Sequence, residues 1–306
     1  AEPGAGGSRP PAATETPRSA AAERLFVALQ HLLPQHPLSR IMHGLAGLRA
    51  GPLTRFGIRI YARAYGVDLG DAAEPDLARY ASFNAFFTRA LRPGARPLEP
   101  RADALLCPVD GTISQIGRLS EGQMLQAKGH ELGVADLLGG DRSLAARFAD
   151  GAYATLYLSP RDYHRIHMPI DGTLTGAVHV PGRLFSVNAV TAARVPRLYA
   201  RNERLVFLFD TAVGPLAVIL VGAIFVGSIE TVWHGEVTPP RGRRLRNLPT
   251  RQPAPTLPRG AELGRFNLGS TVILLLPRDA IAWRAELAPG SQVRVGEALG
   301  RLGSAD

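Results

Sequence analysis

Two short stretches of this 306-residue chain hold side chains in arrangements fit for chemistry. The first is Ser159-Pro160-Arg161-Asp162-Tyr163-His164-Arg165-Ile166-His167, which follows the apolar run Tyr153 to Leu158. A serine N-cap with proline at the first helical position predicts a short helical turn, with His164 and His167 on one side of it. Histidines so placed could bind a metal, although no third ligand is obvious and zinc would want one. They could equally serve as acid and base, since imidazole titrates near neutrality. The plain alternative is an exposed turn that happens to contain two histidines. The second stretch is Gly264-Arg265-Phe266-Asn267-Leu268-Gly269-Ser270-Thr271, followed by a strand from Val272 to Leu276. A Gly-Ser step entering a strand can place a hydroxyl in a strained, exposed position. With an aspartate to orient the imidazole, His167 as base and Ser270 as nucleophile, the parts of a hydroxyl-activating triad are present. Pattern alone does not choose Asp110 over Asp171. Both sit in one repeated phrase, Pro108-Val109-Asp110-Gly111-Thr112-Ile113 and Pro169-Ile170-Asp171-Gly172-Thr173-Leu174, where Asp-Gly reads as a turn into a strand.

Composition narrows the chemistry. The chain is 45% hydrophobic and 20% charged, so it can build a packed core of one large domain or two ordinary ones. Its one cysteine, Cys107, cannot make an internal disulfide or a thiolate zinc cluster. Of 35 basic residues only Lys128 is a lysine, and its setting lacks a P-loop cradle. Lysine-anchored pyridoxal chemistry and P-loop chemistry are therefore both disfavoured. The net charge of +9 invites an anionic partner, while 7% aromatics and the lack of a nucleic-acid-binding motif give nucleic acid no support beyond charge.

Several elements must position these groups. Residues 1–22 read as a disordered tail, and no apolar stretch follows a basic start, so no signal peptide is evident. Residues 23–82 read as an amphipathic helical region. Leu25, Phe26, Leu29, Leu32 and Leu33 share a face, Pro34 and Pro37 interrupt it, and Leu38, Ile41, Met42, Leu45 and Leu48 form a second stripe. Arg40, Arg49, Arg55, Arg59 and Arg63 flank the stripes, which suits either an interfacial membrane helix or a helical cap on its own core. The uncharged run from Thr211 to Ile229 is long enough to span a membrane. Its Gly, Pro and β-branched content favours two buried strands instead, Leu216 to Val221 and Ala223 to Val226, joined near Gly222. Residues 238–260 hold six prolines and six arginines and read as a long surface loop. Pro289-Gly290-Ser291-Gln292-Val293-Arg294-Val295-Gly296-Glu297 reads as the turn-strand-turn of biotinyl- and lipoyl-type modules. The expected class is α+β: a mainly β, barrel-sandwich-like core over residues 83–306, with helices at the N-terminus.

Taken in order, these residues resemble the phosphatidylserine decarboxylases. The likeness runs through Phe86-Phe87-Thr88-Arg89-Ala90-Leu91-Arg92-Pro93-Gly94-Ala95-Arg96-Pro97, the Pro108 to Gly111 turn and Tyr163-His164-Arg165-Ile166-His167-Met168-Pro169. It continues in Gly182-Arg183-Leu184-Phe185-Ser186-Val187-Asn188, Asn202-Glu203-Arg204 and Val221-Gly222-Ala223, and closes on Leu268-Gly269-Ser270-Thr271, the family's self-cleavage motif.

The resemblance implies a pyruvoyl-dependent, self-processing enzyme that converts phosphatidylserine to phosphatidylethanolamine and carbon dioxide. It implies that Ser270 attacks the carbonyl of Gly269 with His167 as base and Asp110 orienting it, leaving a β chain of residues 1–269 and an α chain of residues 270–306. Glycine at 269 would allow strain and close approach. The pyruvoyl group would derive from Ser270, no metal would be needed, and His164 would supply acid/base help in decarboxylation. A two-chain lipid substrate implies a peripheral enzyme at the cytoplasmic face of the cell membrane, meeting anionic lipid through residues 23–63, and the family implies a homodimer. A serine hydrolase using Asp110, His167 and Ser270, and a non-catalytic membrane-binding β module, are the rival readings; neither would split its chain.

Overall fold

The computed structural model describes residues 19–127, 129–225, 228–238, 244–250, 252–267 and 269–303. Lys128, Val226, Leu268 and residues 1–18 lie outside that set.

Three helices open the chain: α1 (Ala20–Leu32), α2 (Gln35–Gly47) and α3 (Pro52–Tyr65). Ser19 caps α1 by accepting from the Ala22 amide, so the expected tail ends sooner than residue 22. Pro34 separates α1 from α2, whereas Pro37 lies in the first turn of α2, where its missing N–H is not needed. Pro52 starts α3 and Gly66, at φ 62°, closes it in the left-handed conformation. Beyond Gly66 the expected helical region gives way to loops and a short 3-10 turn, Leu77–Arg79, before α4 (Phe83–Phe87).

The rest is mainly β, and the α+β expectation holds. The largest sheet is antiparallel and orders its strands as Arg246–Asn247, Gly172–Val180, Arg204–Thr211, Gly214–Val221, Ser270–Leu276, Ala152–Leu158, Gly111–Arg118 and Gln292–Val293. A smaller sheet orders Gly235–Glu236, Ile229–Thr231, Glu262–Phe266 and Arg165–His167. A third joins Ala104–Leu106, Ala298–Leu302 and Ile281–Trp283. The sheets stay open, so the core is sandwich-like without a closed barrel. Both Asp-Gly phrases lead into strands, at Gly111 and Gly172. The Pro289–Glu297 segment is a two-residue strand between Gly290 and Gly296, both at positive φ.

No helix among the described residues is long and apolar enough to cross a membrane, and the strand expected at Leu216 to Val221 is present. Other expectations change. Gly214–Val221 is a buried strand, but the chain leaves the sheet at Gly222, and Ala223 to Phe225 form a turn. The proline- and arginine-rich loop is not wholly irregular: Arg246–Asn247 and Thr256–Leu257 both pair with Gly172–Val180. The Ser159–His167 stretch is not helical. Residues 165–167 form an edge strand, so His164 and His167 lie an odd number of positions apart along extended chain and point to opposite sides.

The strand Ser270–Leu276 is the centre of the core. Each of its residues is buried, and it pairs with Ala152–Leu158 on one side and Gly214–Val221 on the other. A strand covered on both faces needs a continuous apolar run rather than alternation, which Val272-Ile273-Leu274-Leu275-Leu276 provides. Leu274→Ala is expected to lower the unfolding free energy by about 3 kcal/mol, the cost of lost transfer energy plus a cavity. Leu32→Ala, at a position 81% exposed, should change it by less than about 0.5 kcal/mol. Equilibrium urea unfolding measures both.

Candidate active site

Ser270 opens the central strand, opposite Leu158. The chain reaches it from the smaller sheet through Asn267 and Gly269, so the Gly269–Ser270 bond lies where the backbone passes between sheets. The Asn267 amide donates to the Ser228 carbonyl at 2.9 Å, and its side-chain NH2 donates to the Ser228 hydroxyl. Ser270 is fully buried rather than exposed, and its Oγ has no hydrogen-bond partner among the described residues. Asn267 Oδ1, Thr271 Oγ1 and His164 Nε2 are likewise buried without a partner. Each such orphan costs about 1–3 kcal/mol, so the three on Asn267, Ser270 and Thr271, which flank the Gly269–Ser270 bond in the chain, mark a segment kept for chemistry. Gly269 itself is not strained: it avoids the left-handed region, and a Cβ there would meet nothing within 4 Å. The expected steric reason for glycine is absent from this state of the chain.

His164 is fully buried in the loop between Ala152–Leu158 and the edge strand. Its Nδ1–H donates to the Asp162 carbonyl at 2.8 Å, which leaves Nε2 as the free lone pair. Its ring lies 4.1 Å from that of Phe87 on α4. Burial, with a contribution from the nearby Arg89 charge, lowers its pKa to about 3, so this imidazole is neutral at pH 7. The loop is braced throughout. The Asp162 carboxylate accepts from the Ser159 amide at 2.8 Å and hydroxyl at 2.7 Å. Tyr61 of α3 donates to the Pro160 carbonyl at 3.1 Å, and Arg89 donates to the Arg161 carbonyl at 3.0 Å.

His167 faces the other way. Its Nδ1–H donates to the Gly260 carbonyl at 2.8 Å, and its Nε2 accepts from the Tyr163 hydroxyl at 3.0 Å. Burial holds its pKa below the ordinary imidazole value and raises that of the Tyr163 phenol, so both are neutral. Gly260, not Asp110, therefore orients this imidazole, and no hydrogen bond joins His167 to Ser270. Asp110 is buried and receives Arg96 through Nε at 2.9 Å and Nη2 at 2.5 Å, together with the Val295 amide at 2.9 Å. Its charge acts on His167 through space, in the sense that favours imidazolium. Asp171, the alternative aspartate, is exposed and accepts from the Arg259 amide at 2.6 Å. Burial and proximity to His167 separate the two aspartates where spacing could not.

The partners Arg96, Tyr163, Gly260 and Val295 were not assigned roles from sequence. Arg96 and Tyr163 do lie inside the motifs that carry the family resemblance, which was the available signal. Gly260 and Val295 are distant in sequence and contribute only backbone, so no residue type could betray them.

A cavity of about 670 Å³ ends at Gly269. Met42, Leu45 and Ala46 of α2, Ile60 and Tyr61 of α3, Phe83, Pro160, Ile224 and Phe225 line it, and its wall is overwhelmingly apolar. It can admit a hydrocarbon chain alongside Gly269.

Comparison with known proteins points to one family. The family profile described as phosphatidylserine decarboxylase matches residues 83–301, and a second profile, described as PSD, matches residues 25–66. The phosphatidylserine decarboxylase proenzyme of Azotobacter vinelandii is 54% identical over 281 residues, covering 91% of this chain and 98% of that protein. That of Methylibium petroleiphilum is 55% identical over 278 residues, with the same two shares. Ordered site residues, buried serine and a match over most of its length converge: the chain belongs to the phosphatidylserine decarboxylase family.

Proposed function

We propose that this chain cuts itself between Gly269 and Ser270 and then decarboxylates phosphatidylserine to phosphatidylethanolamine, a step of phospholipid biosynthesis. The observation that carries the reading is the Ser270 hydroxyl, buried and unbonded directly after Gly269, in a chain 54% identical to a protein named a proenzyme.

Self-cleavage uses residues the chain already holds. The Ser270 Oγ bonds to the Gly269 carbonyl carbon as its proton passes to His167, and the peptide C–N bond breaks as that proton is handed to the departing Ser270 nitrogen, leaving an ester and a free amine. Loss of a proton from the Ser270 α-carbon then expels the Gly269 carboxylate, and water releases ammonia from the resulting α,β-unsaturated amine. In the uncut chain the Tyr163 hydroxyl occupies His167 Nε2, so the imidazole becomes available only when that bond is exchanged. Asp110, clamped by Arg96, supplies negative charge that stabilises the imidazolium. The position of Ser270, wholly buried and with an unpartnered Oγ, fits a small carbonyl group formed there from the residue's own atoms. Such a pyruvoyl group supplies the electron sink that decarboxylation of an α-amino acid requires. His164 Nε2, a buried lone pair without a partner, is the group assigned to move a proton between substrate and product carbon. A substrate carboxylate beside this ring raises the basicity of His164 by opposing charge.

The N-terminal helices are proposed to seat the enzyme on the bilayer. They bury Gln30, Gln35 and Ser39 beside Val27, Ala46, Ile58 and Ala62, but expose Leu25, Leu29, Leu32, Ile41, Leu45, Leu48, Leu53, Phe56 and Ile60, more large apolar side chains than a helix packed only on its own core leaves outside. The apolar cavity between α2 and α3 then lets acyl chains extend from the bilayer towards Gly269. A peripheral position on the cytoplasmic leaflet and a homodimer are the corresponding expectations for location and assembly.

Intact-mass measurement of purified protein should give two chains, residues 1–269 and 270–306, and a single unbroken, active chain would overturn the reading. Ser270→Ala and His167→Ala should stay uncut on a denaturing gel. His164→Ala should be cut normally and lose about 10²–10⁴-fold in turnover, measured as carbon dioxide release. Replacing Leu29, Leu32, Ile41 and Phe56 together by serine should abolish flotation with anionic liposomes; unchanged flotation would remove the bilayer assignment. A pH dependence follows from His164. Its folded pKa of about 3 lies below the unfolded 6.5, so the unfolded chain binds the extra proton as pH falls through that interval. Stability should therefore decline below pH 6.5, by up to about 1.4 kcal/mol per pH unit, and His164→Gln should flatten that slope in urea unfolding.

A further inference from the structure

We infer that a second, polar pocket beside α4 binds a phosphate-type oxyanion, separately from the site at Ser270. The pocket holds about 430 Å³, and Asn84, Thr88, Arg89, Arg165 and Arg265 line it. Arg165 and Arg265 are direct cross-strand partners in the smaller sheet, so the fold sets two like charges side by side, an arrangement that is unfavourable unless something opposes them. Each has one carboxylate: Arg165 Nη1 reaches Glu262 at 2.9 Å, and Arg265 reaches Glu230 through Nε at 2.9 Å and Nη2 at 2.7 Å. Glu74, which also lines the pocket, pairs with Arg79 at 3.4 Å.

Arg89 is left over. It is 6% exposed, makes no ion pair among the described residues, and spends only Nη2, on the carbonyls of Arg161 and Asp162. Only through-space attraction to Asp110 and Asp162 offsets the burial of this guanidinium, and an anion entering the pocket supplies the direct ion pair it lacks. Donors are waiting for it. Among the described residues, Arg89 Nε and Nη1, Arg165 Nη2 and Arg265 Nη1 have no hydrogen-bond partner. The buried Asn84 Oδ1 also lacks a partner, and turning that amide over presents its NH2 instead. The glutamates hold Arg165 and Arg265 in fixed orientations and leave Arg89 as the excess charge. Planar guanidinium forks fixed in this way match the oxygens of a phosphate better than a diffuse basic patch does. Because Arg89 also holds the carbonyls of Arg161 and Asp162, an occupied pocket braces the loop that carries His164.

The same chemistry is offered by free inorganic phosphate and by the headgroup of an anionic phospholipid. Full-length protein is titrated with inorganic phosphate at constant ionic strength, balanced with chloride, and followed by ³¹P line broadening and unfolding temperature. Saturable binding is expected, with affinity reduced at least 10-fold in Arg265→Gln and at least 3-fold in Asn84→Ala. Absence of saturation in the unaltered chain, or equal affinity in both variants, overturns the site. Asn84→Ala keeps the test decisive should Arg265→Gln fail to fold. Phosphatidylglycerol vesicles that displace phosphate, where phosphatidylcholine vesicles do not, make the lipid headgroup the occupant; no displacement by either makes it free phosphate. None of these readouts depends on decarboxylation.

Discussion

A polar crossing into a dry strand governs this molecule. The chain must leave the smaller sheet at Phe266 and enter the centre of the larger one at Ser270, between two neighbours that already fill its edges. Backbone groups of the strand find partners on both sides, but the side chains of Asn267, Ser270 and Thr271 are carried into the interior with oxygens that find no partner among the described residues. Folding of the apolar strand, with Val272 to Leu276 wholly buried, provides enough stabilisation to hold those oxygens there. The same arrangement explains how a cut chain would remain one particle. A fragment that starts at residue 270 begins with the most enclosed strand of the protein, and Val295, further along it, donates to Asp110 in the larger fragment.

The N-terminal helices invert the usual amphipathic logic. They dock through amide pegs: Gln30 accepts from the Ser186 amide at 2.7 Å and Gln35 from the Leu184 amide at 2.9 Å. Leucines that would ordinarily make such a contact point outward instead. These polar contacts, with the buried Val27, Ala46, Ile58 and Ala62, hold the helices in place and leave their leucine-rich faces uncovered. Since α2 and α3 also wall the cavity that ends at Gly269, one inverted face serves both the outside of the protein and the approach to the buried serine.

Arginine provides much of the internal scaffolding. Arg204, 1% exposed, donates to the carbonyls of Asp136, Leu137, Ala200 and Asn202 at 2.6–2.9 Å. Arg96 bridges Asp110 and Asp71, and Arg183 donates to Gln35 and to the His31 carbonyl. A guanidinium can do this because its five donors lie in a fixed plane and it is less strongly hydrated than an ammonium. The lopsided basic composition is thus partly structural, which tempers any reading of the net charge as a simple attraction to polyanions.

The residue sequence by itself determined the α+β class, the helical N-terminus and the two Asp-Gly strand entries, and it singled out His164, His167, Ser270 and an aspartate as candidates for chemistry. Those are local or compositional properties: periodicity, turn chemistry and side-chain type survive in one dimension. Only the tertiary structure decided that Asp110 rather than Asp171 is buried near His167, that Ser159–His167 is a braced loop and edge strand, and that Arg96, Gly260 and Tyr163 hold the ionisable groups. It alone showed Ser270 to be enclosed rather than exposed, and the leucines of α1 and α2 to face outward. Burial and partner choice depend on segments about 90 to 185 residues apart meeting in space, as His167 meets Gly260 and Asp110 meets Val295, and no local pattern encodes such meetings.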